Sequence, residues 1–506
     1  MFEIDRHATQ LIDPALPLRS SEDIQGDILA GFRKDHQCLL MIQFEDTGTA
    51  RQWLRLIVPE IASTRVVAEF NAAFSAARRE DSETGPVGMS ADWTGLSVTY
   101  PGLVLLSDAD PFRSAVSCPA ALQAFREGAA ARARKVGDTG VNGPGNWLFG
   151  AGSRPVIHAV LTLASDDPVW LAAAIERHCS VLAAHGATVV SRQDGATLPG
   201  PLRGHEHFGF ADGVSQPAVQ GFHQSDPDDP QNVLGSPGTR ILPASRFVIG
   251  ADQQAQAFPP WAIGGSFQVI RRLAQDVAGW RAQLGPQLEI LKKSGAVPDT
   301  ADDVWLAARM VGRWPSGTPI ARCPMSDIPP PPGEKPDNDL SYRDDPDGTQ
   351  TPLFSHIRKT NPRDDQSFLP EHSPDTPFSG SDPRRIIRRG IPFGPPFDPR
   401  SADPIYGADT PRGLLFVCYQ ADLVEQFEFL QHTWVNNARF PRHATGADPL
   451  IGNVNKVSFR PRANGATRSI SLSLDQFVRT EGAIYAFTPA ISVLYDLAFG
   501  NVRHLL

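Results

Sequence analysis

Phe208-Gly209-Phe210-Ala211-Asp212-Gly213-Val214-Ser215-Gln216-Pro217 places one carboxylate between two glycines in an otherwise apolar loop. Glycine adopts backbone angles closed to other residues and lets a neighbouring group come close. An acid held there among apolar neighbours points at a ligand; the plainer alternative is an Asp-Gly turn. What lies downstream bears on the choice. Ser355-His356-Ile357-Arg358-Lys359-Thr360-Asn361-Pro362-Arg363 sets a histidine ahead of three cations. Arg384-Arg385-Ile386-Ile387-Arg388-Arg389-Gly390-Ile391-Pro392-Phe393-Gly394 is a basic cluster that breaks into an apolar Gly/Pro turn.

In this order and spacing the three segments resemble the dye-decolourising peroxidases, a haem family. Asp23-Ile24-Gln25-Gly26-Asp27-Ile28-Leu29-Ala30-Gly31-Phe32 is similar to that family's opening. Gly413-Leu414-Leu415-Phe416-Val417-Cys418-Tyr419-Gln420 and Tyr485-Ala486-Phe487-Thr488-Pro489-Ala490-Ile491-Ser492 are similar to its later segments. The resemblance covers the chain from about residue 23 onward. It implies an α+β fold of two ferredoxin-like domains and a haem-dependent peroxidase. Such an enzyme uses hydrogen peroxide to oxidise organic electron donors such as dyes and phenolics, with one haem b per chain.

The chain's own grammar agrees with that fold. Four times a short apolar run is followed by a polar turn and an amphipathic helix. Cys38 to Phe44 leads to a helix with Ala50, Trp53, Leu54 and Ile57 on one face. Pro155 to Leu163 leads to a helix capped by Asp167, with Pro168 at its first position and a stripe of Leu171, Ile175, Cys179 and Leu182 ending at Gly186. Ser266 to Ile270 precedes Leu273, Val277, Trp280 and Leu284, with Gly285 as the expected stop. Leu414 to Tyr419 precedes Leu423, Phe427, Leu430 and Trp434. Two strand-helix units per half is what a β-α-β-β-α-β domain requires. Four units predict two antiparallel sheets with peripheral helices, residues 1–220 carrying the Asp loop near their end and residues 221–506 binding the haem. Residues 328–350 are Pro/Asp-rich, with prolines at 329–332; this stretch is either a rim of the site or a surface excursion.

At 506 residues, 41% hydrophobic and 20% charged, the chain is globular and long enough for two domains. A net charge of −9 argues against a general nucleic-acid binder. Five cysteines without a CxxC pair give neither a disulfide framework nor a zinc site, and Cys38, Cys179 and Cys418 read as buried thiols. Met1 to His7 shows no secretory core or twin arginine, and no run reaches the roughly 20 apolar residues that span a bilayer. The expectation is a cytoplasmic protein with no membrane association, with leaderless export and a homo-oligomer both left open.

The resemblance assigns roles to residues. His356, in an intact His-x-Arg-Lys-Thr pattern, is the expected iron ligand, and an acid should fix its other ring nitrogen; Asp448 and Glu428 are both candidates. Asp212 is the expected distal acid-base, taking a proton from one peroxide oxygen and delivering it to the departing one. Since carboxylates titrate near pH ~4, an acidic optimum is expected. Arg388, matching an Arg-x-Gly-Ile-Pro pattern, is the expected charge stabiliser and haem contact, and Arg358 a further haem contact. His205-Glu206-His207 could suggest a metal site, but no third ligand is nearby, so packing is the favoured reading. Bulky donors would be oxidised at the surface through Trp or Tyr; Trp434, Tyr419 and Tyr406 lie in the right half, but sequence selects no radical site. The competing reading is a haem-binding, carrier or haem-processing protein of the same fold without peroxidase turnover.

Overall fold

The computed structural model describes residues 15–80, 89–108, 119–251, 258–295, 297–331, 333–366, 381–453, 456–463 and 466–502. Met1 to His7, Cys118 and Pro332 therefore lie outside the described residues. The first half supplies strands β1 (His36–Phe44), β2 (Trp93–Val98), β3 (Ala159–Ser165) and β4 (Ala187–Ala196). The second supplies β5 (Ser266–Gln275), β6 (Ile387–Arg388), β7 (Ile391–Phe393), β8 (Gly413–Gln420) and β9 (Val478–Thr488). All pair antiparallel in one sheet ordered β7-β8-β5-β9-β2-β3-β1-β4, with β6 also on β8. The first half reads 4-1-3-2 from its outer edge inwards. Read outwards from the junction, the second half gives its strands in that same order, β9-β5-β8-β7, so each half is a β-α-β-β-α-β unit. This is the α+β architecture that the sequence implies.

The four strand-helix units share one device. Helices α1 (Thr47–Ile57), α2 (Pro168–Ala184) and α3 (Val277–Lys293), and the π-helical turns over Leu423–Val435, each begin after an aspartate. Asp46, Asp167, Asp276 and Asp422 accept backbone N–H bonds from the first turn, satisfying donors that have no partner inside the helix. The third unit departs from the expectation at both ends. Leu273 belongs to β5, and Gly285 does not stop α3, which runs through Pro286 to Lys293. The missing N–H of Pro286 costs the helix a bond, but Leu284, Leu288 and Leu291 stay buried in one cluster and hold the continuation in place.

The halves do not keep separate cores. Cys38, Leu40 and Ile42 of β1 face one cluster together with Phe267 and Phe487 from the second half, while Leu39 and Met41 face another with Ile270 and Ile484. That period of two with both faces buried explains the unbroken apolar strands. The halves are joined through β9, whose Phe487 pairs with Val98 of β2 and whose Gly482 forms a parallel bridge with Phe149. At the far ends the sheet's edges meet, since a Cβ on Gly195 of β4 would fall 2.5 Å from Ile391 Cγ2 of β7. The sheet thus curls towards a barrel. Residues 197–265 connect the halves and contain the Asp loop; the expected division near residue 220 lies in this segment.

Candidate active site

A cavity with about 250 Å³ of room for the centres of water molecules opens in the second half, between the Asp loop and the short helix α4 (His356–Thr360). His356, Asp212 and Arg388, some 176 residues apart at the extremes, all line it.

On one wall His356 Nδ1 donates to Asp448 Oδ2 at 2.7 Å. Asp448 is fully buried, and its other oxygen accepts the N–H groups of Leu450 and Ile451 at 2.8 and 3.1 Å. With the proton fixed on Nδ1, Nε2 keeps its lone pair for the cavity. Burial works against a charged ring, yet the charge and hydrogen bond of Asp448 outweigh it, and the pKa of His356 ends raised. Of the two candidate acids it is therefore Asp448 that meets His356. Glu428 is committed elsewhere, to Arg132 and to the Tyr485 hydroxyl at 3.0 Å.

In the same cavity Arg388 Nη1 lies 3.1 Å from Asp212 Oδ1, which also accepts the Gly213 N–H at 2.6 Å. Gly209 and Gly213 hold φ of +96° and +75°, left-handed angles that explain the glycine frame. The two walls of this pair are tied by Gln216. Its side-chain amide donates to the Arg388 carbonyl and accepts the Arg388 N–H, both at 3.1 Å, as a neighbouring strand residue would. Arg385 adds a bond to the Ser215 carbonyl at 2.9 Å. Sequence reading missed Gln216; its signal was its place four residues after Asp212.

Arg358, expected to contact haem, does not line the cavity. Its guanidinium is fully buried on the far side of the helix, bonded to both oxygens of Asp365 and to the carbonyls of Thr351 and Asp345. A residue two positions after His356 points across a helix from it, so this cation anchors the helix instead. Besides Arg388 and Arg271, which pair with Asp212 and Asp138, the cations at the cavity are Arg313, Arg363 and Arg385. None has a carboxylate partner among the described residues. Asn338, from the Pro-rich stretch, accepts from both Arg313 and Arg363 at 3.0 and 2.8 Å, and Tyr342 of the same stretch lines the cavity. That stretch is thus a rim of the site rather than a surface excursion. Burial pushes Arg385 down to about 9 and Arg313 down to about 10, with Arg363 adding repulsion to both.

One buried and two half-buried guanidiniums, with carboxylates such as Asp382 and Asp337 near them but none in ion-pair contact, are costly to gather unless an anion joins them. Together with the inward-facing Nε2 of His356, they fit a planar group bearing a metal and two carboxylates, which is what haem offers. His205-Glu206-His207 is no metal site. His207 bonds the Phe393 carbonyl at 2.9 Å, Glu206 is taken by backbone amides, and no set of three ligating side chains occurs among the described residues.

Twin ferredoxin-like halves and a cationic cavity lined by the histidine of a His–Asp pair and by an Asp–Arg pair are the features of a haem-peroxidase class of protein. Comparison sharpens this. The DyP dimeric alpha+beta barrel domain matches residues 23–198, and the Dyp-type peroxidase C-terminal domain matches residues 244–442. The dye-decolorizing peroxidase msp1 of Mycetinis scorodonius is 32% identical over 494 residues, covering 93% of this chain and 86% of the relative. An ancestral D-type dye-decolorizing peroxidase superposes with a TM-score of 0.76 at 29% identity, covering 96% of this chain and 99% of that one. A dye-decolorizing peroxidase in complex with 2,6-dimethoxyphenol superposes with a TM-score of 0.74 at 28% identity, covering 96% and 100%. The chain belongs to the dye-decolourising peroxidase family, a haem-dependent family of enzymes, and is a peroxidase. Peroxide and reducing substrates follow from that membership.

Proposed function

We propose that the chain binds one haem b, cleaves hydrogen peroxide with Asp212 and Arg388, and oxidises phenolic and dye-like donors. The observation that carries this reading is the cavity itself, lined by His356 of the His356–Asp448 pair and by the Asp212–Arg388 pair. Haem, when bound, supplies the redox-active iron that takes up the oxidising equivalents of peroxide. His356 Nε2 would hold it, with Asp448 fixing the ring's tautomer and direction. Arg313, Arg363 and Arg385 offer bidentate partners for its two carboxylates. Asp212, as carboxylate, accepts a proton from one oxygen of peroxide and returns it to the other, which leaves as water. Arg388, 3.1 Å from Asp212, donates to the oxygen on which negative charge grows.

A carrier has no need of a distal acid-base pair, and the relative matched over most of the chain is a peroxidase. The phenol held by the structural neighbour supports small phenolics as donors. The test is the haem absorption band of the loaded protein before and after one equivalent of peroxide. A band that shifts in the wild type and shifts ~10²–10⁴-fold more slowly in Asp212→Asn is the expected result, that range being typical of a lost acid-base. A band that peroxide leaves unmoved would refute the reading.

A further inference from the structure

The loop that presents Asp212 has a complete hydrogen-bond account. Gly209 N–H donates to the Glu206 carbonyl at 2.9 Å, Ala211 N–H to the Pro315 carbonyl at 3.0 Å, and Asp212 N–H to the Gly204 carbonyl at 3.0 Å. Gly213 N–H donates to Asp212 itself. The two remaining amides, Phe208 and Phe210, both donate to the side chain of Glu206, at 2.8 and 3.0 Å. One carboxylate thus fills the inside of the turn that Gly209 makes possible. It is steadied from β5, where Gln275 Nε2 donates to Glu206 Oε2 at 2.6 Å.

No Lys, Arg or His forms an ion pair with Glu206 among the described residues, and the carboxylate lines the same cavity as Asp212. An acid placed there without a cation is unfavourable for its own ionisation: burial, and after it the charge of Asp212, raise its pKa. Backbone N–H groups are what hold it in place, since buried amides left unpaired are costly. A neutral side chain could not serve equally. Glutamine presents one oxygen and one NH₂ group, so one of the two loop amides would face a donor instead of an acceptor.

We propose that Glu206 is a positioning residue for the peroxide step: its carboxylate gathers the Phe208 and Phe210 amides and so sets the direction in which Asp212 enters the cavity. This rests on the reading of Asp212 as the proton carrier of that step. Glu206 exchanges no proton with peroxide in this account; it acts only through the loop.

The experiment compares haem-loaded wild type, Glu206→Gln, Gln275→Leu and Asp212→Asn. Stopped-flow absorption follows the reaction with peroxide separately from the later reduction by 2,6-dimethoxyphenol, and deuterium exchange follows the 204–213 peptide. Misplacing a reacting group by about 1 Å is enough for a loss of order 10²-fold. Glu206→Gln should therefore slow the peroxide reaction about 10- to 100-fold while leaving the phenol reaction and the resting haem spectrum within about twofold, and should speed exchange in the peptide. Gln275→Leu, which removes only the brace, should fall between it and wild type. The proposal is overturned if Glu206→Gln reacts with peroxide at the wild-type rate, or if both reactions fall together, which marks a merely structural role. Should Glu206→Gln fail to fold, a wild-type peroxide rate and exchange in Gln275→Leu overturns it instead. Asp212→Asn separates the two ideas: a wild-type rate there sinks the reading of Asp212 itself, whereas a slow Asp212→Asn beside a fast Glu206→Gln sinks only the role of Glu206.

Discussion

Acid should loosen this protein through His207, in the pH range where an aspartate base is still competent. The ring is 3% exposed, its Nε2–H donates to the Phe393 carbonyl, and its Nδ1 is buried without a partner among the described residues. Protonation would place a charge and an unsatisfied N–H there. Burial first, and Arg412 after the opposing Phe393 bond, push the pKa from 6.5 down to about 4. The folded value lies below the unfolded one, so the stabilisation is complete above pH 6.5 and is lost as pH falls towards 4. Each unit is worth about 1.4 kcal/mol. Linkage then gives a loss of about 2 kcal/mol at pH ~5 and about 3 kcal/mol well below pH ~4. Other buried groups titrate too, burial raising the carboxyls of Asp27 and Asp138, so the absolute curve is composite. Glu206 and Arg412 interact with the ring's surroundings, but the rest cancel against His207→Gln, whose amide can still donate to Phe393 without titrating. Urea unfolding of both proteins at pH ~7.5 and ~5 should show the wild type losing about 2 kcal/mol relative to the variant on acidification. An unchanged gap would refute the reasoning.

Three further outcomes are expected. Arg358→Ala should destabilise the fold by about 3–5 kcal/mol, because Asp365 and Asp345 would keep buried charge without their cation; thermal unfolding measures it. Arg385→Leu should do the reverse to the haem-free protein, leaving it as stable or more so, while haem titration shows weaker binding. Asp448→Asn should weaken haem retention about 10- to 100-fold, read by transfer of haem to an acceptor protein, since His356 loses the acceptor that fixes its ring.

Much of the site was readable because its parts are local. Glycines frame Asp212 for a backbone reason that sequence displays, and the four strand-helix units announce themselves by aspartates before apolar stripes. What escaped depends on contacts between distant segments. Asp448 lies 92 residues from His356, and only the folded chain separates it from Glu428, which Arg132 claims. Arg358 and Arg363 look alike in sequence. One turns inward to Asp365 and the other to the cavity because the helix carrying His356 ends between them. Gln216 and Glu206 are ordinary polar residues in and beside the Asp loop, and their importance lies in which backbone groups they meet. The shared core escaped for the same reason, since β9 joins the halves through pairings with distant residues, Val98 and Phe149 among them, that no local pattern specifies.

The position of β9 also constrains when the protein can take shape during its synthesis. This strand, Val478–Thr488, sits in the middle of the sheet between β5 and β2, yet it is synthesised long after β2. Asp23, made more than 450 residues earlier, waits to accept the Ile491 and Ser492 amides of the helix that follows it. At about 5–20 residues per second, the nascent first half spends tens of seconds with the β2 edge uncovered. Exposed edges invite pairing with other chains. Thr480 and Val478 of the same strand line the cavity, so the cavity's lining is complete only once this late strand has been made.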